Sequence, residues 1–177
     1  MIRTLATLAL FLSAGTALAH GPTPQKVAGT VTIKAKPDAV WKVVGDFGGI
    51  AAWHPDVAKA EATGGNAEGA TRKVTLKAGG TLVEGLDEWK GPERTYSYRM
   101  SDPDLTALPV SSYSATLTVT PDGDGSRVEW MGRFYRGDTG NEPPETLSDE
   151  AGREAMNRYV GDGLKGLKAK LEGEPTP

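Results

Sequence analysis

The chain has 177 residues, a formal net charge of −3 from 20 basic and 23 acidic residues, and no cysteine. Such a length suits one domain with a buried core. The charge balance leaves no basic patch of the kind that holds nucleic acid, and the missing cysteines exclude disulfide staples and thiolate metal sites.

Met1-Ile2-Arg3, the apolar run Leu5–Leu12 and the small residues Ala17-Leu18-Ala19 form the pattern of a secretory signal peptide over residues 1–19. The apolar run is too short to span a bilayer. Cleavage after Ala19 predicts a periplasmic protein that starts at His20, has no membrane span and, with Arg3 removed, carries −4 rather than −3. Residues 20–26 read as a Pro-containing lead-in, 27–171 as the domain and 172–177 as a tail.

Val27, Gly29, Val31, Ile33 and Ala35 alternate with polar residues, predicting a half-buried strand. Pro37 suits a first helical position. Val40, Val43, Val44 and Phe47 then make one apolar stripe, which the pair Gly48-Gly49 should end. Pro55 restricts His54 and stops any further helix after Trp53. The result is a lid-like element, in which Trp53 should be buried against the C-terminal helix near Met156 and Tyr159, with His54 at the rim. A short strand is expected over 57–63. From Ala70 to Arg136 the pattern is strand after strand, over 70–77, 81–90, 94–101, 112–120 and 127–136, with breaks at Gly79-Gly80, Gly91-Pro92, 102–110 and Asp122-Gly123-Asp124-Gly125. Breaks this short favour an antiparallel meander. The last of them lacks the downstream glutamate of a calcium loop and is a hairpin turn.

Pro143-Pro144 opens a long helix predicted over 145–171, with Gly152, Met156, Tyr159, Val160, Gly163, Leu164, Leu167 and Leu171 on its inner stripe. Buried glycines on a helix each cost roughly 0.5–1 kcal/mol relative to alanine. They serve either close approach of the sheet or space for a ligand. The sum is an α+β fold: a bent antiparallel sheet wrapped around a long C-terminal helix, with two short helices after the first strand.

Arg72 shares its parity with Val74 and Leu76, so all three should point inward. A buried arginine needs a partner. One register of the next strand offers Glu84, the other Asp87. Tyr96, Tyr98, Tyr113 and Trp130 also point inward, as core aromatics or as the lining of a polar pocket. His54 reads as a loop residue bonded to backbone, and no Ser-His-Asp spacing supports a nucleophile. His20, as a mature N-terminus, pairs an α-amine with an imidazole, a combination with affinity for Cu(II). Lacking a clear further ligand, it reads as a mobile terminal residue, and neither a metal nor a cofactor is expected.

This order of elements, with Pro37–Asp46, Trp53-His54-Pro55, Thr71–Leu76, Glu84-Gly85-Leu86, Tyr96-Ser97-Tyr98 and Leu108-Pro109-Val110 before Tyr113, resembles the START-like (SRPBCC, polyketide cyclase/dehydrase-type) superfamily. The resemblance implies the helix-grip fold and selects Glu84 as the inward carboxylate. It also implies that Gly79-Gly80 and Leu108-Pro109-Val110 are gates flanking a cavity lined from Trp53, His54, Arg72, Val74, Leu76, Glu84, Tyr96, Tyr98, Tyr113, Trp130, Met156, Tyr159 and Gly163. More narrowly, the segments His20–Val27, Lys77–Gly80 and Phe134–Gly137 with Pro143-Pro144-Glu145 resemble the MxaD-type periplasmic accessory proteins of bacterial methanol oxidation. That resemblance implies a non-enzymatic role with methanol dehydrogenase and its cytochrome c as partners. Two alternatives stand beside it: a carrier or sensor of a small hydrophobic or aromatic ligand, and a cyclase or dehydratase.

Overall fold

The computed structural model describes residues 21–173. The expected leader, His20 and the last four residues of the expected tail lie outside that range. Strand β1 (Gln25–Ile33) begins two residues before its expected start. Helix α1 (Pro37–Val44) has Pro37 in its first turn and buries Val40 and Val44. It ends three residues earlier than its apolar stripe suggests. Trp41 lies over Gly45, where a Cβ would fall 2.6 Å from the indole, and the Trp89 Nε1–H donates to the Gly45 carbonyl at 2.8 Å.

The chain then restarts as a 3₁₀ segment, Phe47–Ala52, capped by the Asp46 carboxylate accepting from the Gly48 N–H. Gly48-Gly49 therefore sits inside a second helical turn rather than closing the first. The reason is local, because a Cβ at Gly49 would meet Asp46 Oδ2 at 2.8 Å.

Six strands follow: β2 (Val57–Thr63), β3 (Thr71–Leu76), β4 (Thr81–Lys90), β5 (Thr95–Asp102), β6 (Val110–Asp122) and β7 (Gly125–Arg136). All pair antiparallel in one seven-stranded sheet, in the order β1-β7-β6-β5-β4-β3-β2. Arg72 faces Glu84 across β3 and β4. A register shift between Leu86 and Glu88 then changes the parity of β4. Before it Leu82, Glu84 and Leu86 are buried. After it Trp89 turns in against Trp41, with ring centroids 5.6 Å apart, while Asp87 pairs outside with Arg99. Each of the two registers open to the sequence thus holds for part of the strand.

Helix α2 (Asp149–Glu172) starts four residues after its expected first position. Glu145–Leu147 is a separate 3₁₀ turn, and Ser148 provides the N-cap by accepting from the Ala151 N–H. Gly173 closes α2 in the left-handed conformation at φ 71°, so the tail begins later than expected. At about 1.5 Å per residue this helix is roughly 36 Å long. It lies in the grip of the sheet: a Cβ on Gly29 of β1 would fall 2.7 Å from Leu164 Cδ1 and 2.8 Å from Val160 Cγ1.

Gly163 works the same way toward the lid. A Cβ there would meet His54 Cδ2 and Trp130 Cζ3, both at 2.7 Å. Glycine to alanine inside a helix ordinarily stabilises by about 0.5–1 kcal/mol. Here the sign reverses, and Gly163→Ala is expected to cost about 1–3 kcal/mol through overpacking. Urea unfolding checks this. A stabilised variant would show that the rings yield.

Candidate functional site

Glu84 is fully buried, and both its oxygens are used. One accepts from the Arg72 Nε–H; the other accepts from the Tyr113 hydroxyl at 2.6 Å. Arg72 also donates from Nη1 to the Phe47 carbonyl at 2.7 Å, which ties the 3₁₀ lid to β3. Its guanidinium carbon lies 4.3 Å from the Phe47 ring centroid and 4.8 Å from that of Tyr98. Burial opposes the arginine charge, but Glu84, Tyr96 and Tyr98 together outweigh burial and hold the pKa well above the ordinary value. Burial, reinforced by Glu84, pushes the Tyr98 and Tyr113 hydroxyls well up, and burial also raises that of Tyr96. They remain protonated donors.

The remaining lining candidates also meet one another. The Trp130 Nε1–H donates to the Tyr98 hydroxyl at 3.0 Å. Trp53 is buried, as expected, with its ring edge-on to Trp130 at 5.7 Å. Its backbone carbonyl abuts α2 at Gly166, about two turns beyond the expected Met156–Tyr159 position. Val74 and Met156 are buried core residues. Val110 is not a gate residue: it is the first residue of β6 and wholly buried. Gly163 leaves no room for a ligand, because His54 and Trp130 occupy the space its missing side chain frees.

His54 is the main correction. It is 2 % exposed rather than at the rim. Its Nε2 lies 3.0 Å from the Tyr159 carbonyl and its Nδ1 accepts the Asp56 N–H at 3.2 Å. A carbonyl only accepts, so Nε2 carries the proton and the ring is neutral. The imidazole stacks on the Tyr159 ring at 4.2 Å. Glycine at 163, one turn on from Tyr159, is what lets it reach that carbonyl. The sequence signal was present, a bare position on the inner stripe of α2, but it does not say which ring fills it.

The mouth of the cup lies between the expected gates. Gly79 and Gly80 take positive φ, 108° and 78°, in the turn after β3. A Cβ on Gly80 would stand 2.6 Å from the Ala107 backbone nitrogen, so the two loops touch. The Thr81 N–H donates to Asp104 Oδ2 at 2.8 Å, and Asp104 Oδ1 accepts from the Thr106 N–H. This latch was not anticipated; Asp-x-Thr in a loop is its only sequence trace. Beside it opens a cleft of about 620 Å³, walled by Leu76, Lys77 and Ala78, by Ala107, Leu108 and Pro109, and by α2 from Ala151 to Tyr159. A depression of about 660 Å³ lies outside the cup, among Ser97, Arg99, Ser114 and Arg133 on the outer face of the sheet. Among the described residues, no group of three or more His, Asp or Glu is placed to hold a metal, and no helix is long and apolar enough to cross a membrane.

The family model for polyketide cyclase/dehydrase and lipid transport proteins matches residues 24–172. The chain belongs to that family, within the START-like class. Among solved structures it is similar to the protein XoxI from Bacillus cereus, at 27 % identity over 83 % of this chain and 95 % of that one, with a TM-score of 0.69. A Thermobifida fusca protein is 29 % identical over 85 % and 97 % of the two chains, with a TM-score of 0.63. The Zhui aromatase/cyclase from a Streptomyces species shares the fold, at 21 % identity over 85 % and 94 % and a TM-score of 0.64. No curated protein matches the sequence.

Two outcomes test the buried network. Arg72→Met strands the Glu84 carboxylate and is expected to cost about 3–5 kcal/mol. Adding Glu84→Gln should recover a large part of that loss in a double-mutant cycle, whereas additive losses would dissolve the pair. The second concerns acid. Burial lowers the His54 pKa from 6.5 to about 4, against a smaller opposing effect of the bond to Tyr159. The unfolded chain takes up its proton near pH 6.5 and the native state near 4, so stability present above 6.5 drains away between those values. The loss from this residue totals about 3 kcal/mol. Urea midpoints from pH 7 to 4 should fall more steeply for the parent than for His54→Gln; parallel curves would assign the loss to other groups.

Proposed function

We propose that this chain is an exported, non-enzymatic accessory protein of the MxaD type, assisting electron transfer from methanol dehydrogenase to its cytochrome c. The observation that carries the non-catalytic part is the state of the acid–base groups. Glu84 and His54 are 0 % and 2 % exposed, and each already uses both its side-chain polar atoms on partners within the fold. A general acid or base must come within hydrogen-bond reach of a substrate proton. Neither group is free to do so. Export rests on the leader-like residues 1–19, and the choice of partners on the MxaD-like segments at His20–Val27, Lys77–Gly80 and Phe134–Gly137 with Pro143-Pro144-Glu145.

An accessory protein of this kind acts through its surface, so its effect is read on its partners. Purified protein added to methanol dehydrogenase and its cytochrome c is expected to raise the rate of cytochrome reduction, with a dependence on ionic strength. Glu84→Gln protein that remains folded should retain the effect. A rate unchanged at every salt concentration would overturn the proposal.

A further inference from the structure

The outer face of the sheet carries a row of three cations. Lys26 on β1 stands opposite Arg133 on β7, Arg133 opposite Ser114 on β6, and Ser114 opposite Arg99 on β5. Like charges placed directly opposite in a strand pair repel. Arg99 has a counter-charge in Asp87 at 2.7 Å. Lys26 and Arg133 are exposed, and no ion pair among the described residues includes either of them. Of the nearby acids, Glu88 is taken by Lys90, and Glu129 stands four residues along β7, about 13 Å from Arg133. Arg133 is flanked on its own strand and face by Met131 and Tyr135, 47 % and 37 % exposed. Only one other large apolar side chain among the described residues, Leu105, is exposed. Between Arg99 and Arg133 the hydroxyls of Ser112, Ser114 and Thr116 floor the depression of about 660 Å³.

We propose that this face docks an acidic protein surface, whose carboxylates meet Lys26 and Arg133 while an apolar side chain covers Met131 and Tyr135. Charge selects the occupant. The whole chain is negative, at −3, so an acidic partner is repelled by most of the molecule and attracted by this row, which fixes its orientation. Carboxylates set between Lys26 and Arg133 also relieve the repulsion that the bare sheet carries. Extent decides between a protein and a small anion. Three strand spacings separate Lys26 from Arg99, roughly 14 Å, more than one phosphate can bridge. Met, Tyr and Arg side by side are residue types enriched at protein–protein contacts. The docking stands by itself; that the acidic partner is methanol dehydrogenase or its cytochrome c rests on the reading above.

The first probe is a blocked peptide, Glu-Glu-Leu-Glu-Glu, titrated into isotope-labelled protein and followed by amide NMR shifts. Saturable shifts are expected at Lys26, Arg99, Ser114, Met131 and Arg133, weakening with added salt and missing with the Gln-Gln-Leu-Gln-Gln peptide. Arg133→Glu should weaken binding about tenfold or more, the worth of one charge-assisted hydrogen bond. Its melting temperature should not fall, because the change replaces repulsion from Lys26 by attraction. Arg127→Glu makes the same charge change further along the same strand, opposite Thr32 and Thr120, and should leave binding nearly intact. Shifts scattered over the surface, or equal losses in the two variants, would overturn the proposal. So would inorganic phosphate giving the same saturable shifts at matched ionic strength, which would mark a small-anion site. In the dehydrogenase–cytochrome assay Arg133→Glu should lose the enhancement given by the parent. An enhancement kept by Arg133→Glu would sink this face and leave the accessory role standing; peptide docking without any enhancement would do the reverse.

Discussion

One carboxylate holds the two halves of the cup together. Glu84 on β4 accepts from Tyr113 on β6 and from Arg72 on β3, and Arg72 passes the tie on to the Phe47 carbonyl in the lid. A few residues further on, His54 reaches α2 through the Tyr159 carbonyl. Two polar ties thus hold the lid, one to the middle of the sheet and one to the helix. Every link is buried, so each donor left without its acceptor would be costly. Aromatic rings fill the space beside it, with Trp130 bonded to Tyr98 and edge-on to Trp53.

Parity made the first of these ties legible. Arg72 sits in phase with Val74 and Leu76, and a charge on an apolar face must find its opposite. Strand alternation left two candidates, and only the register shift after Leu86 explains why Glu84 faces inward while Trp89 does so too. A bulge adds one residue without any necessary composition signal, which is why the choice was not decidable from alternation alone.

The lid and the helix ends were harder to read, for a different reason. Apolar periodicity carries straight through from Val40 to Phe47, yet α1 stops at Val44 because Trp41 needs the bare face of Gly45 and Asp46 is better used as a cap. A histidine before proline reads as a loop residue bonded to backbone, and His54 is one. Its expected place at the rim, beside a Trp53 buried with Ile50 and Val57, fails, because periodicity does not reveal that Gly163, more than a hundred residues away, leaves a slot of the right shape. Pairing a gap on one element with a ring on another is a tertiary fact.

Replacing a buried ion pair with well-packed apolar residues is often neutral or stabilising, so Arg72–Glu84 is weak evidence of a more stable core. What the pair contributes is position. An apolar side chain in place of Arg72 would be free to sit anywhere along the lid, whereas the guanidinium must satisfy Glu84 and the Phe47 carbonyl at once. That requirement fixes how far the 3₁₀ segment descends toward the sheet, and hence where Trp53 and His54 meet α2. With those rings seated in the grip, His54 and Trp130 take the space that Gly163 leaves free. In this chain the lid therefore acts as a filling, seated by one buried charge pair and held against α2 by one imidazole.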